Sequence, residues 1–360
     1  MKNNKITQFQ YFIMTFFLLL SFIPFIGYHT ITKINSTTSL ISIIIGYFLI
    51  TIYIFLIKNI FHYKSNLTVI EKIENLFPKS KYLFLIILII ILVSSLLYSL
   101  NNLVTFVNYY ILKDISLIFI TFSFLLTILY ALTKSMDSIF RLAEIFFYIY
   151  IFLFLISIIG VSKYMNLYYI KPLLASPIKN TIISSILYMT SCIIPLFLLG
   201  MIPLNKIQNN KKLDYTLMNA SKLSSLLIFI NLFSIITTLG IELTNIYQNP
   251  DIIVYKKISF LNILERVETT LAFNNILNSF FFILLGIYFL KEIIIHLFHI
   301  KKEKEILSLS LIVFGLMIIS TILTIPQSIY FIVSLACLVI VFFMNVKLFS
   351  CKYNLQKSKK

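Results

Sequence analysis

The chain has few of the residues that build soluble enzymes or disulfide-linked secreted domains. Only 12% of its 360 residues are charged, only 13 are Asp or Glu, and tryptophan is absent. The three cysteines, Cys192, Cys337 and Cys351, are too few and too scattered for a disulfide framework or a metal site. The sequence contains no Ser/His/Asp or Cys/His constellation and no nucleotide-binding loop. We therefore expect no enzyme activity, no cofactor and no bound metal.

Apolar sequence is what the chain has in excess. Hydrophobic residues make up 59% of it, and the mean hydropathy is +0.97, which is outside the range of soluble globular domains. Crossing about 30 Å of hydrocarbon takes about 20 mostly apolar residues. Such stretches predict ten membrane spans, at residues 9–30, 40–61, 82–110, 115–132, 145–161, 182–204, 223–241, 267–290, 306–325 and 329–349.

The positions of the basic residues indicate membrane topology rather than nucleic-acid binding. The formal net charge is +17, and 22 of the 30 Lys and Arg residues fall on the side of the membrane that carries the N-terminus. Because cytoplasmic loops are enriched in Lys and Arg, both termini are predicted to be cytoplasmic. Both termini lie on the same side of the membrane only if the number of spans is even, and the predicted number is ten. We therefore divide the chain into a transmembrane domain, 1–350, and a basic cytoplasmic tail, 351–360.

Two spans, the first and the sixth, contain a proline near their middle. Proline removes a backbone N–H and clashes with the preceding turn, so Pro24 and Pro195 predict interrupted helices. The breaks divide the ten spans into units 9–161 and 182–347. Five spans per unit make the second inverted relative to the first. The predicted fold is all-α: ten transmembrane helices as two inverted five-helix repeats, with helices 1 and 6 interrupted. In transporters of this design, substrate binds where the broken helices meet.

Polar residues at and beside the two breaks are the candidates for ligand binding. Ends of half-helices offer N–H groups to a carboxylate and carbonyls to an ammonium, which suits a zwitterionic amino acid. The competing explanations are ordinary proline kinks and, in span three, ordinary hydrogen bonds between helices. The candidates are Ser21, Phe22, Pro24, Gly27, Tyr98, Asn101, Ser191, Cys192 and Pro195.

Two further groups of polar residues lie in and near the spans. Thr270, Asn274 and Asn278 recur at a spacing of four in span eight and are candidates for an ion or water path, with helix-to-helix hydrogen bonding as the equal alternative. Charged residues at the mouths of spans five and eight are candidates for gates, and local ion pairs are the alternative. The gate candidates are Arg141 and Glu144 on the cytoplasmic side and Glu265, Arg266 and Glu268 outside.

Three short motifs link the chain to a known family. They are Lys-Ile-Thr-Gln-Phe-Gln at 5–10, Arg-Leu-Ala-Glu-Ile at 141–145 and Leu-Glu-Arg-Val-Glu at 264–268. With these motifs the chain resembles the endospore germination permeases, the B-subunits of nutrient germinant receptors, within the amino acid/polyamine/organocation transporter superfamily. It departs from their pattern in span six, where Ile193 and Ile194 stand in place of an expected Gly-Glu. Any ligand contact made by that glutamate is absent here.

The resemblance implies a role in spore germination. It implies a subunit of the spore inner membrane that senses a small nutrient, such as an amino acid, with an A-type membrane subunit and a C-type lipoprotein as partners. Two alternatives remain open. One is a secondary amino acid transporter of growing cells, and the other is a channel or scaffold subunit without a ligand, which the missing glutamate favours.

Overall fold

The computed structural model describes residues 5–21, 27–208, 213–256, 268–298 and 305–357, with the side chains of 268–271, 305–308 and 351–357 left out. Within these residues the chain is helical, apart from loops and one isolated bridge between Ile6 and Ile207. The helices are α1 Gln8–Leu20, α2 Gly27–Asn35, α3 Ser39–His62, α4 Val69–Leu76, α5 Lys81–Tyr110, α6 Leu117–Leu132, α7 Met136–Ser162, α8 Ile178–Leu198, α9 Leu213–Ile246, α10 Pro250–Lys256, α11 Glu268–Phe298, α12 Glu305–Ile322 and α13 Gln327–Lys357.

Seven helical segments in the described part of the chain are long and apolar enough to cross a membrane. They identify a multi-pass membrane protein. Three shorter apolar helices occupy the places of the other predicted spans; α1, for example, has 13 residues and a length of about 20 Å. The ten-span count and the inverted repeat therefore stay predictions. The seven segments are Gly27–His62, Lys81–Tyr110, Met136–Ser162, Ile178–Met201, Leu213–Ile246, Ala272–Phe298 and Gln327–Ser350.

Helix α1 lies at the centre of the bundle. It packs against α7, α8, α9 and α11, and ten of its side chains, including Phe16 and Phe17, are buried. The Phe17 ring stacks on Phe281 of α11 with ring centroids 4.7 Å apart, and the Phe16 ring packs edge-on against Tyr150 of α7 at 5.5 Å. Because lipid offers no hydrophobic driving force between helices, close packing of this kind holds the bundle together.

The described residues of the first span form two helices, and the predicted break itself falls on residues 22–26, between them. Helix α1 ends at Leu20, where the Ser21 hydroxyl donates to the carbonyl of Leu18 at 2.6 Å. Helix α2 begins at Gly27, whose φ of +71° lies in the left-handed region that favours glycine. Pro24 and Phe22 lie outside the described residues.

The predicted interruption of span six is wrong. Helix α8 continues through Pro195 to Leu198. Proline removes the N–H that would bond the carbonyl four residues earlier, and here that carbonyl belongs to Ser191. The hydroxyl of Tyr330 on α13 donates to this oxygen at 3.1 Å. Since the freed carbonyl finds a side-chain partner, the helix needs no break.

A break that the sequence analysis did not identify lies in span seven. Gly240 interrupts α9 with φ of +75° and ψ of 168°, a region that only glycine enters readily. The ring of Tyr169 covers it at 3.7 Å from where a Cβ would lie. Tyr169 belongs to a short 3₁₀ helix, Leu167–Ile170, in the connection between α7 and α8. This connection therefore packs on the irregular part of α9.

Candidate functional site

A cavity of about 960 Å³ opens between α2, α5 and α11. It lies at the end of the bundle that holds the C-terminal ends of α2 and α5. The lining residues are Gly27, His29, Thr30, Lys33, Tyr98, Asn102, Leu103, Thr105, Phe106, Asn108, Tyr109, Tyr110, Leu117, Ile246, Tyr247, Gln248, Asn249, Asn275, Ile276, Ser279 and Gln327.

The lining is rich in hydrogen-bonding groups and poor in charge. Six amide side chains line it. Among the described lining residues, Lys33 and His29 are basic, and none is Asp or Glu. Several tyrosine rings supply flat apolar area together with a hydroxyl. Small-molecule sites combine apolar and aromatic walls with a few convergent polar groups. The cavity can therefore hold a small polar molecule.

Tyr98 connects the cavity to the packed core. It is 6% exposed, hydrogen-bonds with Asn102 one turn along α5, and its ring stacks on Tyr330 at 5.1 Å. Tyr330 is the residue that satisfies the Ser191 carbonyl in α8. A change in the Tyr98 ring would therefore reach α8 and α13 through direct contacts.

A buried carboxyl group lies behind the cavity wall. Asp251 of α10 is 2% exposed, and its Oδ2 accepts a hydrogen bond of 3.2 Å from Nδ2 of Asn275, a cavity-lining residue of α11. Loss of water raises the pKa of Asp251 from 3.8 to about 6, although hydrogen bonds from Asn275 and from backbone N–H groups oppose the change. Within the described residues no Lys or Arg pairs with it.

Beside Asp251 a hydrogen-bonded triad joins three helices. The Asn231 amide of α9 donates to the Tyr28 hydroxyl of α2 at 3.1 Å and accepts from the Tyr255 hydroxyl of α10 at 2.7 Å. All three side chains are buried. Sequence reasoning missed Asp251 and this triad. The signal available was weak, because Asp251 stands in a polar connection, Gln-Asn-Pro-Asp, that reads as an ordinary loop.

At the opposite end of the bundle, hydrogen bonds hold the beginning of α1. Thr7 and Gln10 form a capping box at the start of α1, and Nε2 of Gln10 donates to Oε2 of Glu144 on α7 at 3.0 Å. Next to it, the Ile6 N–H donates to the Lys206 carbonyl and the Gln208 N–H donates to the Ile6 carbonyl, both at 2.9 Å. These contacts fix the start of the chain across the end of the bundle away from the cavity.

Comparison with known families agrees with the three short sequence motifs at 5–10, 141–145 and 264–268. A family model for spore permeases, described as spore germination protein, matches residues 5–329. The chain belongs to the spore germination protein family. No curated protein matches the chain.

In this family member, two of the motifs that carried the resemblance meet in space. Gln10 comes from the first motif, and Glu144 comes from the Arg-Leu-Ala-Glu motif. Arg141 is exposed, and among the described residues no ion pair joins it to Glu144. A local ion pair between Arg141 and Glu144 was the alternative to a gate at this place. In the described residues Glu144 instead contacts Gln10 of another helix. Glu265 and Arg266 lie outside the described residues, as does the side chain of Glu268.

The predicted ligand-binding residues divide into two groups. Gly27 and Tyr98 line the cavity. Asn101 does not, because its amide donates to the Leu323 carbonyl at 2.9 Å; Asn102 takes its place in the lining. The asparagine of α5 that lines the cavity is therefore four residues after Tyr98, not three.

The predicted residues of span six lie in the packed core, away from the cavity lining. Ser191, Cys192 and Pro195 are buried. The Ser191 hydroxyl donates to the Tyr188 carbonyl of its own helix at 2.6 Å, as the Ser21 hydroxyl does to Leu18 in α1. Both hydroxyls are therefore already used by their own helices.

The predicted polar path in α11 adjoins the cavity without lining it. Asn274 and Asn278 are 1% and 0% exposed, respectively. In the described part of the chain, neither amide atom of Asn274 has a hydrogen-bond partner, and Asn278 lies beside the Tyr150 hydroxyl of α7. The side chain of Thr270 is outside the described residues. Asn275 and Ser279, one position further along, are the α11 polar residues that face the cavity.

Proposed function

We propose that this chain is the ligand-binding membrane subunit of a spore nutrient-germinant receptor and has no enzymatic activity. A small polar nutrient, with an amino acid as the first candidate, occupies the cavity between α2, α5 and α11. The observation that supports this is the polar cavity of about 960 Å³, which includes Gly27 and Tyr98 in its lining, in a member of a germination family.

The cavity offers partners for both ends of an amino acid. Lys33 suits a carboxylate, and amide oxygens such as that of Gln327 suit an ammonium. Tyr98 can close over the ligand from α5. A ligand shifts a conformational equilibrium only by its differential affinity for the two states. We propose that ligand binding changes the packing between Tyr98 and Tyr330 and does not carry the ligand across the membrane.

The proposal includes the setting of the subunit. The chain has ten spans in two inverted repeats, both termini in the cytoplasm, and a place in the spore inner membrane. The cavity then faces away from the cytoplasm, and the contact between Gln10 and Glu144 closes the cytoplasmic end. The partners are an A-type membrane subunit and a C-type lipoprotein, which receive the conformational change.

Neighbouring asparagines provide a matched test. Asn102 lines the cavity, whereas Asn101 donates to Leu323 outside it. Spores carrying Asn102→Ala or Asn101→Ala as the sole copy are exposed to each of the twenty common amino acids, and receptor abundance is measured in the same spores. Asn102→Ala should raise the nutrient concentration for half-maximal germination several-fold, with Asn101→Ala close to wild type at equal abundance. Equal responses of the two variants would contradict the proposed site.

A transport assay separates the proposal from its alternative. Vesicles containing the purified chain are given a radiolabelled amino acid that triggers germination, with vesicles lacking the chain as the control. The receptor proposal expects binding without accumulation inside the vesicles. Accumulation that depends on the chain would favour a secondary amino acid transporter, and absence of binding would favour a scaffold subunit.

A further inference from the structure

The connection between α7 and α8, taken together with the first residue of α8 as residues 163–178, has an apolar outer surface. Leu167, Tyr168, Leu174 and Ile178 are 65%, 77%, 75% and 80% exposed, respectively. Between the end of α7 at Ser162 and the start of α8 at Ile178, the connection contains only the short 3₁₀ helix Leu167–Ile170. It therefore does not cross the membrane. Exposed apolar patches on ordered, non-spanning segments mark surfaces that contact something else. We call residues 163–178 the connecting segment.

The connecting segment is held firmly from behind. The Asn166 N–H donates to the Thr237 carbonyl of α9 at 2.8 Å. The Thr38 hydroxyl, at the start of α3, donates to the Leu173 carbonyl at 3.2 Å and accepts from the Ala175 N–H at 3.1 Å. Backbone groups of Asn166, Leu173 and Ala175 are thus bonded to the bundle, and apolar side chains of the segment are left outside. The exposed surface is a fixed feature of the fold.

The charges of the segment are of one sign. Lys163, Lys171 and the adjoining Lys179 are exposed, and residues 162–181 contain no Asp or Glu. The Lys171 ammonium lies over the Tyr168 ring, 5.2 Å from its centroid. Lysine and tyrosine side chains keep an apolar body in contact with hydrocarbon and a polar end in water, which suits them to the headgroup layer.

The apolar surface continues into the faces that meet lipid. Ile178, Ile182 and Ile186 recur at a spacing of four along α8 and are all exposed, so they form one stripe on the helix. Leu155 and Ile159 do the same near the end of α7. At 27 residues, α7 is about 40 Å long, which exceeds the hydrocarbon thickness of about 30 Å. The helix is therefore long enough for its last turn to reach the headgroup region.

We infer that the connecting segment docks into the headgroup layer of the bilayer that the protein spans and that Lys163, Lys171 and the adjoining Lys179 bind anionic phospholipid. The continuity of the apolar stripe with the lipid-facing sides of α7 and α8 favours lipid over a protein partner. Lysines near an anionic surface each add to the attraction. The same segment contacts α9 at Gly240 through Tyr169. Lipid docking would therefore hold the irregular part of α9 in place.

The absence of tryptophan makes this testable by fluorescence. Tyr168→Trp and Leu174→Trp each place a single tryptophan on the proposed surface. Tyr109→Trp is the matched control, because Tyr109 is 68% exposed at the same end of the bundle but lines the cavity. The full-length variants are reconstituted into liposomes of phosphatidylcholine, with or without phosphatidylglycerol, and quenched by lipid brominated at acyl carbons 6 and 7 or by aqueous iodide. Size-exclusion profiles check that each variant is folded.

The tryptophans at 168 and 174 should be quenched several-fold more by brominated lipid than by iodide, and the tryptophan at 109 should show the reverse. Phosphatidylglycerol should increase quenching at 168, and changing the three lysines to glutamine should remove that increase. Iodide quenching at 168 and 174 equal to that at 109 would overturn the docking and leave the surface to a protein partner. Quenching at 168 that does not depend on phosphatidylglycerol would overturn the assignment of the lysines.

Discussion

Replacing Asp251 with asparagine should make the protein more stable at neutral pH and remove part of its pH dependence. Burial raises the pKa of Asp251 from 3.8 to about 6, so ionising this group costs the folded state more than it costs the unfolded chain. The difference corresponds to about 3 kcal/mol. Asparagine keeps an oxygen that can accept from Asn275 and never carries the charge.

The sign of the effect fixes the pH window. A carboxyl whose folded pKa is raised destabilises the fold by the full amount above about pH 6, and by nothing below pH 3.8. Wild type should therefore gain stability as the pH falls from 7.5 towards 4. Asp251→Asn should exceed wild type at pH 7.5 by up to about 3 kcal/mol, a difference of several degrees in melting temperature, and should match it near pH 4.

The assay heats detergent-solubilised protein and measures the monodisperse fraction by size exclusion at each pH. Asp114→Asn is the control, since Asp114 is exposed in the loop before α6 and the chemical change is the same. A variant that is less stable than wild type at pH 7.5 would refute the reasoning. It would mean that the ionised carboxylate has a cationic partner and stabilises the fold.

Three other substitutions test the packing described above, with melting temperature in detergent as the measurement. Tyr330→Phe leaves the Ser191 carbonyl without its donor and should cost about 1 kcal/mol, whereas exposed Tyr130→Phe should have no effect; equal losses would contradict the account of Pro195. Gly240→Ala forces φ of +75° on a residue with a side chain and should cost about 1 to 3 kcal/mol, whereas Gly315→Ala, in open space within α12, should be neutral or stabilising. Glu144→Ala removes the bond to Gln10 and should destabilise by about 1 kcal/mol; a larger loss with Arg141→Ala would argue that the arginine makes the important contact.

Much of the fold could be predicted because the bilayer imposes a simple rule on sequence. A span must be apolar over about 20 residues and must satisfy its own backbone, so helices and their approximate places follow from hydropathy. The sequence also predicted an interruption of the first span from Pro24, and the described residues place α1 and α2 on either side of it. Two of the ligand-binding candidates, Gly27 beside the predicted break and Tyr98 in span three, line the cavity.

What the sequence could not indicate depends on partners that are distant in the chain. Pro195 frees a carbonyl, but the Tyr330 hydroxyl that bonds it comes from a helix more than a hundred residues later. Asn101 and Asn102 are chemically identical, and only the position of the Leu323 carbonyl decides which one enters the cavity. The burial of Asp251 likewise depends on α2, α9 and α11 meeting around a short helix.

The central place of α1 sets the order in which the protein can be assembled. Helix α1 precedes its partners in the chain, yet the Phe281 ring that stacks on Phe17 comes more than 250 residues later. At about 5 to 20 residues per second, the ribosome takes tens of seconds to reach it. During that time α7, α8 and α9 can already pack against α1, and the native bundle closes only when α11 joins them.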